Sequence, residues 1–363
     1  MALGVIALLG SGEIAPSMTK VHRQLMKPLG EVRAVNLDTP YGFQTNVPQM
    51  TAKIRDYFAT SLRVPIRTLH FPSYDDAGPV EREIVRQEVR EANYVFAGPG
   101  SPSWAVKQWS PLGLTSDLAE VVRAGGVVCF ASAAALTVGA LTAPIYEIYK
   151  AGTVPYWLNG LDLLAIAGLR TAVIPHYNNA EGGNYDTRHC YLGEHRLLTL
   201  ESQLPADVGI LGVDEHTAAI IDLEQRTLSV LGKGSAYWRH QGATQVLNNA
   251  TSTPLGTLQT LNPVKHAPTT MKEPFNDLEN LVRVAQTGGP TSIEAIAALA
   301  RRAAQVNSNV VDAPAVVTRL VSLRSQLRQA QDFEFADQVR TILYDLGFDV
   351  TDSPDGPTWS PRK

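Results

Sequence analysis

The feature that most restricts the fold of this chain is an alternation running through its first half. Short apolar runs, "GVIALLGSG", "EVRAVNLDTP", "PIRTLHFPS", "NYVFAGPGSP" and "GGVVCFASA", each close in Gly, Pro, Ser, Asp or Ala. Between them lie "PSMTKVHRQLM", "NVPQMTAKIRDYFATS", "PVEREIVRQEVREA" and "LTSDLAEVVRAG", with apolar residues at helical spacing. Strands alternating with helices predict an α/β fold, a doubly wound, mostly parallel sheet with helices on both faces. Ligand sites in such folds collect beyond the carboxyl ends of the strands. The residues that close each apolar run are therefore the first place to look for chemistry.

After Ala140 the pattern loosens. "TAVIPH" reads as a strand ending on a histidine, and "VGILGVDEHTAAIIDLEQRTLSVLGKGSAYWRHQG" as short strands in a meander closing the sheet edge. Three domain segments are expected. Residues 1–247 form the α/β unit, 248–275, rich in Thr, Pro and Asn, form a linker, and 276–363 form a small helical domain. Gly347 suits a C′ cap for its last helix.

Charge and cysteine content narrow the function classes. A formal net charge of -4 over 363 residues offers no general attraction to nucleic acid or membrane. Two cysteines, Cys129 and Cys190, make no disulfide framework and suit the cytoplasm. The apolar N-terminus lacks a basic leader and is expected to be a buried strand rather than a signal peptide. No apolar run approaches the roughly 20 residues of a membrane span, so a soluble protein is expected.

Chemistry concentrates at three strand ends. Ser132 follows "VVCFA" and precedes small residues; it suits a helix N-cap as well as a nucleophile exposed on a strand-to-helix turn. His176 ends "TAVIPH" and would emerge at the same carboxyl edge as a general base. Asp214 and Glu215 follow "GILGV", and either can orient the imidazole. Cys129 precedes the turn and should be buried and inert. The loop "GSGEIAPSM" reads as a place for an anion at a helix N-terminus. "HYNNAEGGNYDTRHCYLGEHR" reads equally as pocket lining, with Arg188 clamping a carboxylate, or as a solvated loop with internal ion pairs. Its histidines and cysteine show no metal-ligand spacing, and neither metal nor cofactor is expected.

Four ordered stretches resemble the peptidases that include cyanophycinase and the aspartyl dipeptidase, built on the class I glutamine amidotransferase-like fold. "VFAGPGSPSWAV" is similar to that family's Gly-Gly loop, "ASAAA" to its Gly-x-Ser-Ala-Gly elbow, "PHYNN" to its Asp-x-His-Phe and "GVDEHTA" to its Asp-Glu-x-Thr-Ala. The resemblance covers roughly the first two-thirds of the chain. It implies a serine-type amide hydrolase with Ser132 as nucleophile, His176 as base and Glu215 as orienter, acting on a small peptide or amide. Gly98, Gly100 and Ala133 would supply oxyanion amides, and Ser101, Asn178, Arg188 and Asp214 would meet substrate. Phe130 and Ala134 stand where the family has elbow glycines, and Pro99, which has no N–H, interrupts the oxyanion loop.

The tail from Leu323 onward resembles the C-terminal segment of cysteinyl-tRNA synthetase. Asp332, Phe333, Ala336, Asp337, Arg340, Gly347, Asp352, Gly356 and Trp359 stand in matching places. This implies a helix followed by a hairpin, and tRNA contact, for which Arg319, Arg324 and Arg328 are the candidate phosphate cluster. The alternative to hydrolysis is thus a catalytically degenerate scaffold that binds tRNA or a protein partner through its tail. A docking or dimerisation bundle, hence a homo-oligomer, is the simpler expectation for that tail.

Overall fold

The structure is a computed structural model. It describes residues 2–259, 321, 324, 325, 328, 333–345, 348–353 and 356–361. The chain divides into two units, Met1–Val264 and Lys265–Lys363.

The first unit opens with β1 (Val5–Leu9), α1 (Thr19–Met26), β2 (Ala34–Leu37), α2 (Val47–Tyr57), β3 (Ile66–Leu69) and α3 (Pro79–Glu91). It continues through β4 (Tyr94–Ala97), α4 (Pro102–Leu112), α5 (Leu114–Arg123), β5 (Val127–Ala131), α6 (Ala133–Thr137), β6 (Leu141–Thr142) and α7 (Ile145–Tyr149). Then come β7 (Leu158–Asn159), β8 (Thr171–Ile174), α8 (Gly193–Ser202), β9 (Gly209–Val213) and β10 (Thr217–Asp222). β11 (Thr227–Gly232), β12 (Ala236–His240), β13 (Ala243–Leu247), β14 (Ser252–Pro254) and α9 (Leu255–Gln259) complete it.

Two sheets form where a single one was expected. The larger has the order β14-β11-β10-β1-β5-β4-β2-β3, with β3, β2, β4, β5 and β1 parallel and the meander strands antiparallel. The smaller has the order β13-β12-β9-β8-β6-β7, with β6, β8 and β9 parallel. They meet at the three residues between β9 and β10, where the chain leaves one sheet and enters the other. This break brings the carboxyl ends of β1, β5, β8 and β9 to one place: the His176 amide donates to the Gly10 carbonyl (3.1 Å) and Gly10 to Thr217 (2.9 Å).

β5 shows why the parallel strands lack polar alternation. Val128 and Phe130 enter the apolar core on one face of the sheet, and Val127, Cys129 and Ala131 the core on the other. A strand covered by helices on both sides has no wet face to signal in sequence. Part of the segment expected to be a linker is structured. Ser252–Pro254 pair with β11, and Leu255 and Leu258 are buried, so ordered structure continues to Gln259. Thr and Pro content concealed a short edge strand, where proline is tolerated because its missing N–H faces outward. Residues 260–275 lie outside the described residues, as do Arg319, Asp332 and Gly347.

In the second unit α10 (Phe333–Asp345) precedes the antiparallel hairpin of β15 (Phe348–Ser353) and β16 (Gly356–Pro361). Val339, Leu343 and Val350 cluster, and Phe348 meets Trp359 edge to face. Arg324 is fully buried, so the three arginines do not make one open basic face; Arg328 lies near the Phe333 ring.

Candidate active site

Ser132 is carried on a strained turn. It follows β5 directly and adopts φ 50°, ψ -120°, a region sparsely populated by any residue with a Cβ. Such strain persists only where surroundings over-determine it. Here the Ser132 amide donates to the Leu9 carbonyl (3.1 Å) and the Ala134 amide to the Gly98 carbonyl (3.2 Å). Phe130 does not crowd the turn: it is fully buried away from it, with its ring 5.6 Å from that of Trp109. Ala134 is also fully buried, where a larger residue would press on the core. Ser132 therefore enters the helix without capping it, and its side chain is left for another partner.

That partner is His176, whose Nε2 lies 2.9 Å from Ser132 Oγ. The Nδ1 atom of the same ring lies 2.8 Å from Glu215 Oε1. A carboxylate can only accept, so Nδ1 carries the proton and Nε2 presents a lone pair to the hydroxyl. The hydrogen bond from His176 holds the Glu215 carboxyl below its usual range, outweighing its partial burial. Asn179 Nδ2 donates to the same Oε1 (3.1 Å). The structure thus separates the two acids that sequence left open. Asp214 accepts from the Ser235 amide (2.9 Å) and the Tyr237 hydroxyl (3.2 Å), and burial raises its pKa.

A left-handed turn supports His176. His189, Cys190 and Tyr191 have φ of 58°, 59° and 66°, costing roughly 1–2 kcal/mol each. The Cys190 amide donates to the His176 carbonyl (3.1 Å) and the His189 amide to that of Tyr177 (2.9 Å). The turn sets the Tyr191 ring 6.1 Å from the imidazole. Tyr149 stacks on Tyr191 and on Tyr185, forming an aromatic row beside the base. Neither cysteine competes as a nucleophile: Cys129 and Cys190 are buried, and burial pushes the Cys129 thiol up to about 12.

The expected oxyanion donors flank the serine. The Ala133 amide opens α6, where the first turn has no intrahelical acceptor. Gly98 and Gly100 lie across from it on the loop that bonds to Ala134. Gly100 has φ 140°, and a Cβ there would lie 2.0 Å from the Pro40 carbonyl oxygen, so only glycine lets this loop pass.

The expected substrate contacts are otherwise engaged. Ser101 Oγ caps α4 by accepting from the Trp104 amide and lies 3.0 Å from Ser103 Oγ. Asn178 Oδ1 accepts from the Glu215 amide (2.8 Å), anchoring the orienting loop. Arg188 is bonded through both Nε and Nη2 to Asp186 at 2.8 Å, the internal ion pair that was the bland reading of this loop.

Sequence reasoning missed Glu13, Asn179 and Tyr191. Glu13 follows β1 in the loop read as a place for an anion, but the loop brings a carboxylate of its own. Its Oε1 lies 3.6 Å from where a Cβ on Gly98 would stand, and burial raises its pKa above the ordinary carboxylate range. The only available signal was its place at a strand end.

Among the described residues no group of three or more His, Cys, Asp and Glu is placed to hold a metal, and no helix is long and apolar enough to cross a membrane. A surface groove at Val32–Val35, 65–67 and 88–92 lies at the amino ends of β2 and β3, the edge opposite the triad.

No family model matches the chain. Among solved structures it is similar to a peptidase from an acI-B1 Actinobacterium, with a TM-score of 0.57 and 19% identity over 70% of this chain and 97% of that one. A protein of Listeria monocytogenes EGD-e described as a peptidase E candidate superposes with a TM-score of 0.41 at 12% identity, over 69% of this chain and all of that one. The expected α/β fold with its mostly parallel strands is present, and it is shared with the acI-B1 peptidase.

Proposed function

We propose that the protein is a serine-type amide hydrolase, peptidase- or amidase-like, of the lineage that cyanophycinase and the aspartyl dipeptidase represent. The observation that carries this reading is the contact between Ser132 Oγ and His176 Nε2 on a turn strained at φ 50°. A strained strand-to-helix turn of this kind is what presents a serine hydroxyl to a neighbouring base.

In this reading Ser132 Oγ attacks the amide carbonyl as its proton passes to His176 Nε2. Glu215, ionised and fixed by Asn179, stabilises the imidazolium and holds its tautomer. Backbone amides of Ala133 and of the Gly98–Gly100 loop receive the oxyanion. Loss of the Pro99 donor is the cost of that loop, and one missing donor typically removes ~2.7–4 kcal/mol of transition-state stabilisation. His176 then returns its proton to the leaving amine, and water releases the acyl group by the same route. The aromatic row of Tyr191, Tyr149 and Tyr185 borders the substrate.

A fluorophosphonate probe tests this reading. Wild type should be labelled at Ser132, while Ser132→Ala and His176→Ala should not. Equal labelling of Ser132→Ala would remove the proposal.

A further inference from the structure

The hydrolase reading assigns no work to Glu13, yet this side chain stands beside the groups it uses. Glu13 stands beside the oxyanion loop, in space that Gly98 leaves open by lacking a side chain, and its own loop begins at Gly10, whose carbonyl accepts from the His176 amide (3.1 Å). Burial without a cationic partner raises its pKa above the ordinary carboxylate range. Glu13 is half-buried. Its main chain is immobilised from below, because the buried His22 Nε2 lies 2.7 Å from the Glu13 carbonyl. Among the described residues no basic side chain pairs with its carboxylate, and its only hydrogen bond is to its own amide.

The lysine and arginine near the aromatic row are engaged elsewhere. Arg188 is spent on Asp186, and Lys150 lies 4.7 Å above the Tyr149 ring. Glu181 accepts from the Tyr191 hydroxyl (2.8 Å), so the aromatic row ends in a second carboxylate. Aromatic faces attract cations. An acidic substrate would meet Glu13 without a compensating arginine, whereas a cationic one would find the partner that the fold leaves out.

We propose that Glu13 is the specificity-determining group of this site and selects substrates carrying an ammonium or guanidinium beside the scissile amide. The inference rests on the hydrolase reading. The cation is either a free α-amino group or the side chain of a basic residue.

Diphenyl 1-aminoalkylphosphonates test it, because Ser132 Oγ would displace phenoxide from phosphorus while His176 takes the hydroxyl proton and phenol leaves. Three side chains are compared, 4-aminobutyl, pentyl and carboxyethyl, each with a free and an acetylated amine. Wild-type labelling at Ser132 should be about ten- to a hundredfold faster for probes bearing the recognised cation. A gain from the free amine identifies the α-ammonium, and one from aminobutyl the side chain. In Glu13→Gln the ratio of cationic to neutral labelling rates should collapse towards one, and in Glu13→Lys it should favour carboxyethyl. Labelling at Ser132 with no cationic preference, or a preference that Glu13→Gln leaves intact, overturns this inference alone. Absence of Ser132 labelling by every probe overturns the hydrolase reading and this inference with it.

Discussion

The two halves of the candidate site are built by different means. The nucleophile half, on β5 and α6, holds Ser132 with backbone hydrogen bonds and apolar packing from Phe130 and Ala134. The base half, on the loops after β8 and β9, holds His176 with a chain of polar contacts. Glu215 meets the ring, Asn179 meets Glu215, and Asn178 meets the Glu215 backbone. The nucleophile needs a fixed position, and a close-packed core fixes position well. In the proposed reaction the base must also keep one tautomer and tolerate a transient positive charge, for which a carboxylate is suited.

Four predictions can break or sharpen this contrast. The largest concerns the carboxylate itself. Glu215→Gln should slow labelling of Ser132 by on the order of 10⁴-fold while leaving the urea midpoint nearly unchanged. If its rate matched wild type, the polar half would not be working as described.

Phe130→Ala tests the apolar half in the opposite sense. Emptying the place beside Trp109 should destabilise the fold by about 3–5 kcal/mol in a urea titration. The folded fraction should lose far less labelling rate than Glu215→Gln does. A Phe130→Ala protein of native stability would show that the elbow is not held by packing.

Acid should act on His22, buried on α1 beneath the Glu13 loop. His22 Nε2 donates to the Glu13 carbonyl, so Nδ1 accepts from the Tyr94 hydroxyl (2.6 Å), and the ring is neutral. Burial lowers its pKa from 6.5 to about 4. The folded state therefore resists protonation that the unfolded chain accepts. Its contribution is complete above pH 6.5 and falls away between pH 6.5 and 4, costing about 3 kcal/mol at the acid end. The difference in urea-derived stability between pH 7 and pH 4 should shrink by that amount in His22→Gln. A difference no smaller than that of wild type would break the account.

The smallest effect belongs to Asn179. Asn179→Ala removes one hydrogen bond to a carboxylate that keeps its histidine, and should slow labelling about tenfold. A loss as large as that of Glu215→Gln would mean that the amide, and not the carboxylate alone, holds the base.

Much of this was legible along the chain. The parallel strands and the positions of Ser132 and His176 at their ends follow from apolar runs that stop at small or polar residues. Glu215 was legible only beside Asp214, because adjacent acids after a strand carry the same local signal. The choice depends on which one the break between β9 and β10 turns toward His176. Arg188 illustrates the converse: its composition suggests a clamp, and its partner two residues away cancels it. Glu13 and Tyr191 had no spacing to betray them, since their roles depend on loops from distant strands meeting.

Period and punctuation by themselves determined the strands, the helices and the edge of the sheet where side chains must gather, because burial on two faces leaves no other pattern for a parallel strand. Only the tertiary structure decided that the sheet splits in two, that Ser132 is forced to positive φ, and which carboxylate faces the imidazole. Those outcomes depend on contacts between residues far apart in the chain, and local propensity contains no term for them.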